Sequence, residues 1–102
     1  MGNEIGHWRI KIDEIDETLI ELFNRRAEHA IEIGRIKSAL GMPVHNPQRE
    51  NQIYDHVKAL NPGPLSDGAI RRLFERIIDE TRRLEREVCE KEGTCDGNRD
   101  EA

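Results

Sequence analysis

The chain has 102 residues, 36% of them charged and 35% hydrophobic, with a formal net charge of −5. That length allows one domain with a modest core, and the acidic balance argues against nucleic acid, whose phosphates need a basic face. No apolar run approaches the ~20 residues of a membrane span. The N-terminus also lacks the charged-then-apolar layout of a signal peptide, so a cytoplasmic location with no membrane partner is expected. A Met-Gly start with Gly6, not Ser or Thr, at the sixth position fails the myristoylation pattern. Cys89 and Cys95 do not have a zinc spacing and read as free thiols in a reducing compartment.

From about Gly6 to Leu40 there is no proline, and apolar residues recur at Ile12, Ile15, Leu19, Leu22, Ile33 and Ile36. This three-four alternation predicts one amphipathic helix of about 50 Å. A compact monomer of this size cannot cover such a helix, so its apolar stripe needs a partner. Past Leu22 the alternation lands on Arg26 and His29, placing a cation where a seam should be apolar. A lone arginine there could snorkel past the core edge. Arg26, Ala30, Ile33 and Lys37, however, fall at i, i+4, i+7 and i+11, on one stripe at about 100° per residue. The two cations then stand roughly 16 Å apart over a small apolar saddle.

Gly41-Met42-Pro43 breaks this helix, and Asn46-Pro47 starts the next, an Asn cap followed by Pro at the first helical position. The second helix is expected from about Pro47 to Leu60, with Ile53, Tyr54, Val57 and Leu60 as its apolar face and Glu50 one turn before Ile53 and Tyr54 on that face. Asn61-Pro62-Gly63-Pro64 ends it. Ser66 or Asp67 can cap a third helix running to about Glu90, in which Phe74, Ile78, Thr81 and Glu85 repeat the first helix's spacing. Its arginines (Arg71, Arg72, Arg76, Arg82, Arg83, Arg86) alternate with acids and read as a solvated face. Residues 91–102 lack apolar periodicity and read as a disordered tail beyond a helical domain over 1–90. Two cations facing an apolar saddle, closed by a helix N-terminus, make a receptor for a small dianion.

Other chemistries lack their residues. Glu-x-x-His, as in di-iron bundles, occurs only at Glu4–His7 in a fraying terminus, so no metal site is expected. His29, His45 and His56 have no ligand spacing and read as surface or edge residues. No phosphate loop or nucleophile elbow is present. A helical dimerisation module without an active site accounts for the long first helix, but not for polar residues interrupting all three apolar faces.

Several short motifs follow one another along the chain. Arg9 precedes an apolar-periodic run containing Asp16-Glu17; Arg26 precedes Gly34-Arg35-Ile36-Lys37; then come Pro43-Val44, Arg49-Glu50, Leu73-Phe74 and Thr81. In this order and spacing the chain resembles the all-helical chorismate mutases, of the stand-alone, monofunctional kind, from roughly Trp8 to Val88. Two positions depart from that pattern. Glu85 stands where the family has glutamine, and Asn46 where many relatives have aspartate.

The resemblance implies an all-α homodimer of intertwined three-helix chains that converts chorismate to prephenate in phenylalanine and tyrosine biosynthesis. The reaction is pericyclic, and no cofactor is implied. By position, Arg26 and Arg9 would each grip a carboxylate, while Lys37 and Glu85 would attend the ether oxygen. Glu50 would accept from the ring hydroxyl, helped by the helix start at Asn46. Thr81 and Arg49 would support, with Ala30, Ile33 and Ile78 as apolar walls. Arg9 precedes Arg26 by nearly five helical turns, which puts the two roughly 25 Å apart along one helix and roughly 100° apart around it. One small substrate cannot touch both within a chain, so Arg9 is expected from the partner of an antiparallel dimer, which would also bury the seam. A close relative of this pocket, isochorismate-pyruvate lyase, would use the same cations and is the alternative activity.

Overall fold

A computed structural model describes residues 3–92, which form three helices and no strand among the described residues: α1 (Asn3–Ala39), α2 (Pro47–Leu60) and α3 (Asp67–Glu92). α1 has 37 residues, a length of about 55 Å. It begins a turn before the expected Gly6, with Glu4 in its first turn, where a negative charge suits the helix dipole.

The end of α1 is set by Gly41. Met42 N donates to Lys37 O at 2.7 Å and Gly41 N to Ser38 O at 3.1 Å. These are the paired bonds of a Schellman ending, which needs a left-handed residue. Gly41 supplies it with φ 72°. Lys37 thereby sits in the last turn of α1, beside the following loop. At the start of α2, Asn46 Oδ1 accepts from Arg49 N at 3.1 Å, and Pro47 occupies the first turn, the arrangement expected of an Asn cap. Ser66, not Asp67, caps α3: its Oγ accepts from Ala69 N at 3.0 Å and its carbonyl from Ile70 N at 3.0 Å. Asp67 instead accepts from Asn61 Nδ2 at 2.9 Å, which closes the α2–α3 connection.

α3 packs against both other helices. It is antiparallel to α2, where Arg71 stacks 4.1 Å over the Tyr54 ring, a cation–π contact. It runs in the same sense as the C-terminal half of α1. There Arg35 reaches Glu92 through two bonds of 3.1 and 2.6 Å. α3 runs two residues past the expected end at about Glu90: Lys91 and Glu92 belong to its last turn, not to the tail. The rest of that tail, including Cys95, lies outside the described residues.

The packing leaves a very small interior. Only Gly34, Ile78 and Cys89 are buried among the described residues. The chain measures 59 × 28 × 19 Å with a radius of gyration of 17.5 Å, against about 13 Å for a compact chain of this size. The excess is the N-terminal half of α1, where Trp8, Ile12, Ile15, Ile20 and Leu22 are all exposed. A row of apolar side chains in water for several turns is unfavourable by about 25 cal/mol per Å². Among the described residues of one chain, nothing covers that row.

Candidate active site

Where α1, the start of α2 and α3 meet, they border an open cavity of about 270 Å³. α1 lines it with Arg26, His29, Ala30, Ile33 and Lys37; the turn and α2 with Val44, Asn46, Arg49, Glu50 and Ile53; α3 with Ile78, Thr81, Arg82 and Glu85. Each helix contributes residues three or four apart, so the backbone period alone aims them to one side. All the site residues expected from the sequence meet here except Arg9. That residue lies on the exposed N-terminal stretch of α1, outside the cavity.

Arg26 donates from Nη1 to Thr81 Oγ1 at 3.4 Å, and Thr81 in turn donates to Ile77 O at 2.7 Å. The hydroxyl hydrogen is thus turned to the helix backbone and its lone pairs are left to the guanidinium. Burial first, and then the neighbouring Arg49 charge, pushes the Arg26 pKa down, while Glu85 opposes that. An arginine stays charged throughout the working range of proteins. The direction therefore records a partly desolvated cation that lacks enough negative charge nearby, which an anionic ligand would provide.

Lys37 extends over the α1–α2 turn and donates from Nζ to Val44 O at 3.4 Å. An ammonium has three donors, so others remain for a ligand. Glu85 is half-buried opposite it. Burial pushes its carboxyl pKa up, and Lys37, Arg26 and Arg82, in that order, pull it back down. The net direction is upward, so the proton is retained to a higher pH than on an ordinary glutamate.

Glu50 Oε2 lies 3.3 Å from Arg82 Nη2 and 3.7 Å from His45 Nε2. Arg82 therefore does not belong to the solvated face expected for the arginines of α3. Its side chain is 27% exposed and enters the cavity wall. Arg71–Glu75 at 3.0 Å and Arg76–Glu80 at 2.6 Å do form surface pairs of the expected kind. The missed signal was spacing: Ile78, Arg82 and Glu85 stand at i, i+4 and i+7, the same face as Thr81. His29, Val44 and Ile53 are likewise added by the fold. Asn46 keeps its place at the cavity rim, with its side-chain oxygen already engaged in the helix cap. Among the described residues, no group of three or more His, Cys, Asp or Glu is arranged to hold a metal ion.

The cavity is lined by helices and their connecting turn, with four cations and two carboxylates beside apolar side chains. The family model for chorismate mutase type II matches residues 8–86, and the chain belongs to that family. It is 32% identical over 92 residues to the chorismate mutase of Methanocaldococcus jannaschii, covering 89% of this chain and 93% of that one. The 4-amino-4-deoxychorismate mutase of Streptomyces venezuelae is also 32% identical, with 88% of each chain covered. The solved chorismate mutase (form II) of Thermus thermophilus superposes with a TM-score of 0.79 at 34% identity, over 80% of this chain and 93% of that one. The chain spans only about a quarter of the length of the bifunctional chorismate mutase/prephenate dehydratases it matches, 25% in the case of Aquifex aeolicus.

Proposed function

We propose that this protein is a chorismate mutase, converting chorismate to prephenate by intramolecular rearrangement. The observation that carries this reading is the charge arrangement of the cavity. Arg26, Lys37, Arg49 and Arg82 face a space that holds only two carboxylates, Glu50 and Glu85, and burial pushes the pKa of Glu85 upward. The surplus positive charge suits a dianion, and chorismate carries two carboxylates. One ether C–O bond breaks as one C–C bond forms within the same molecule. The protein's tasks are therefore to hold the substrate compact, which is catalysis by orientation, and to stabilise the charge that develops on the ether oxygen.

In this reading Arg26 binds one carboxylate and Arg49 adds to the field around it. Lys37 donates to the ether oxygen, and protonated Glu85 is the second donor there. Glu50 accepts the ring hydroxyl, Thr81 steadies Arg26, and Ala30, Ile33 and Ile78 are the apolar walls. We propose further that the working unit is a homodimer, supported by the uncovered apolar row of α1 and by the distance of Arg9 from the cavity. Arg9 of the partner subunit would then bind the other carboxylate. Residues 1–90 are taken as the catalytic unit, acting in the cytoplasm.

Incubation of purified protein with chorismate, and separately with isochorismate, tests the reading by product. Prephenate from chorismate is the expected result. Pyruvate from isochorismate without prephenate from chorismate would make the protein a lyase, and inertness toward both would leave a dimerisation module.

A further inference from the structure

Glu50 is an unusual group to find in a receptor for a dianion, since an ionised carboxylate repels one. Its tolerance has a visible cause. Arg82 reaches across from α3 and places Nη2 3.3 Å from Glu50 Oε2, with the two side chains 27% and 19% exposed. His45 Nε2 stands 3.7 Å from the same oxygen, on a more exposed side chain. Both contacts fall on Oε2, which leaves Oε1 available to a ligand. Arg82 also keeps its Nε buried with no hydrogen-bond partner.

We propose that Arg82 is a specificity-determining residue: by neutralising Glu50 it sets the cavity to take a neutral hydroxyl, not an ammonium, on the substrate ring. The inference rests on the mutase reading above. A hydroxyl needs only an acceptor, and a carboxylate already paired with arginine still accepts a hydrogen bond. An amine in place of that hydroxyl is protonated at neutral pH and needs a full unpaired negative charge. Here it would meet a carboxylate whose charge is already matched and a guanidinium of like sign beside it. Like charges brought together in a partly buried site are strongly unfavourable. Arg26, Lys37 and Arg49 add the same sign from the other walls, and apart from Glu50 only Glu85 opposes them.

The test compares catalytic efficiency on chorismate and on 4-amino-4-deoxychorismate for the wild type, Arg82→Met and Glu50→Gln. The wild type should prefer chorismate. Arg82→Met frees Glu50 to pair with an ammonium, so the amine-to-hydroxyl efficiency ratio should rise by on the order of tenfold or more. Glu50→Gln leaves Arg82 unopposed, so the same ratio should fall. Opposite movement of one ratio separates this role from structural damage, which lowers both efficiencies together. Circular dichroism and thermal denaturation establish that each variant folds. Should Arg82→Met fail to fold, Glu50→Gln decides: a lower ratio supports the proposal and an unchanged or higher one overturns it. A wild type that turns over chorismate, with an unmoved ratio in Arg82→Met, overturns the role of Arg82 alone. A wild type inert toward both substrates overturns the mutase reading and this inference together.

Discussion

Gly34 of α1 and Glu85 of α3 meet across the helix interface: a β-carbon at position 34 would lie 3.4 Å from Glu85 Cγ, 3.6 Å from its Cβ and 3.7 Å from its Cδ. Gly34 is buried, and the stem of Glu85 rests on its backbone. The absence of a larger side chain at 34 leaves room for the stem of Glu85 where the two helices meet. Contacts at these separations are ordinary van der Waals distances, so a methyl group fits with little adjustment. Gly34→Ala should therefore fold and gain up to about 1 kcal/mol from helix propensity, read by denaturant unfolding. Gly34→Leu should displace Glu85 and lower turnover on chorismate. Full turnover in the leucine variant would show that Glu85 has no part in the reaction.

The upward shift at Glu85 has a definite sign for activity. Glutamate donates only when protonated and is acceptor-only when ionised. Because burial raises its pKa against the pull of Lys37, Arg26 and Arg82, the donor form persists to higher pH than for an ordinary glutamate, then is lost. Turnover should be greatest on the acid side and decline as pH rises through the apparent pKa of the Glu85–Lys37 pair. Glu85→Gln, which donates at any ordinary pH, should flatten that decline. Identical alkaline limbs in the two proteins would remove Glu85 from the ether oxygen.

The same shift links to stability. A glutamate whose folded pKa exceeds its unfolded value holds extra proton in the folded state, so its contribution is fully present below the unfolded pKa and is lost as pH rises through the folded one. In ligand-free protein, Glu85→Gln should remove that part of the pH dependence and gain relative stability toward neutral pH. Denaturant titrations at acid and neutral pH check this. A difference between the two proteins that does not change with pH would contradict it.

Lys37, the proposed donor to the ether oxygen, has one contact to Val44 O and further donors to spare. A donor whose contact strengthens only in the transition state affects turnover more than binding. Lys37→Ala should reduce kcat by on the order of 10²–10³ with a much smaller change in KM. Intact kcat with a raised KM would assign Lys37 to ground-state binding.

Arg9 and Arg26 provide a test of the proposed dimer. If each cavity draws Arg9 from the partner subunit, Arg9→Ala and Arg26→Ala are each inactive alone. A mixture that exchanges subunits forms heterodimers in which one of the two sites keeps both arginines. Part of the activity should return on mixing. Exchange demonstrated by mass spectrometry with no recovery would rule out a shared site.

Much of this architecture follows from the chain itself. Proline at 43 and 47, glycine at 41 and the caps at Asn46 and Ser66 act within one turn of backbone, so the three helices and their breaks can be read without knowing what packs on them. The stripe of Arg26, Ala30, Ile33 and Lys37 is equally local, because the helical period alone puts those residues on one side. Tertiary structure decided what stands opposite. Arg82 has the same side-chain chemistry as Arg76 or Arg83, and only the start of α2, set against that turn of α3, makes it a partner of Glu50 instead of a surface charge. Glu85 owes the upward direction of its pKa first to burial, and it packs beside Gly34, which belongs to a different helix and lies far back in the chain. Lys91 and Glu92 have no apolar period, yet they continue α3, and Arg35 of another helix pairs with the last carboxylate. Helix formation depends on bonds between neighbouring turns, whereas the environment of a charge depends on groups brought from anywhere in the chain.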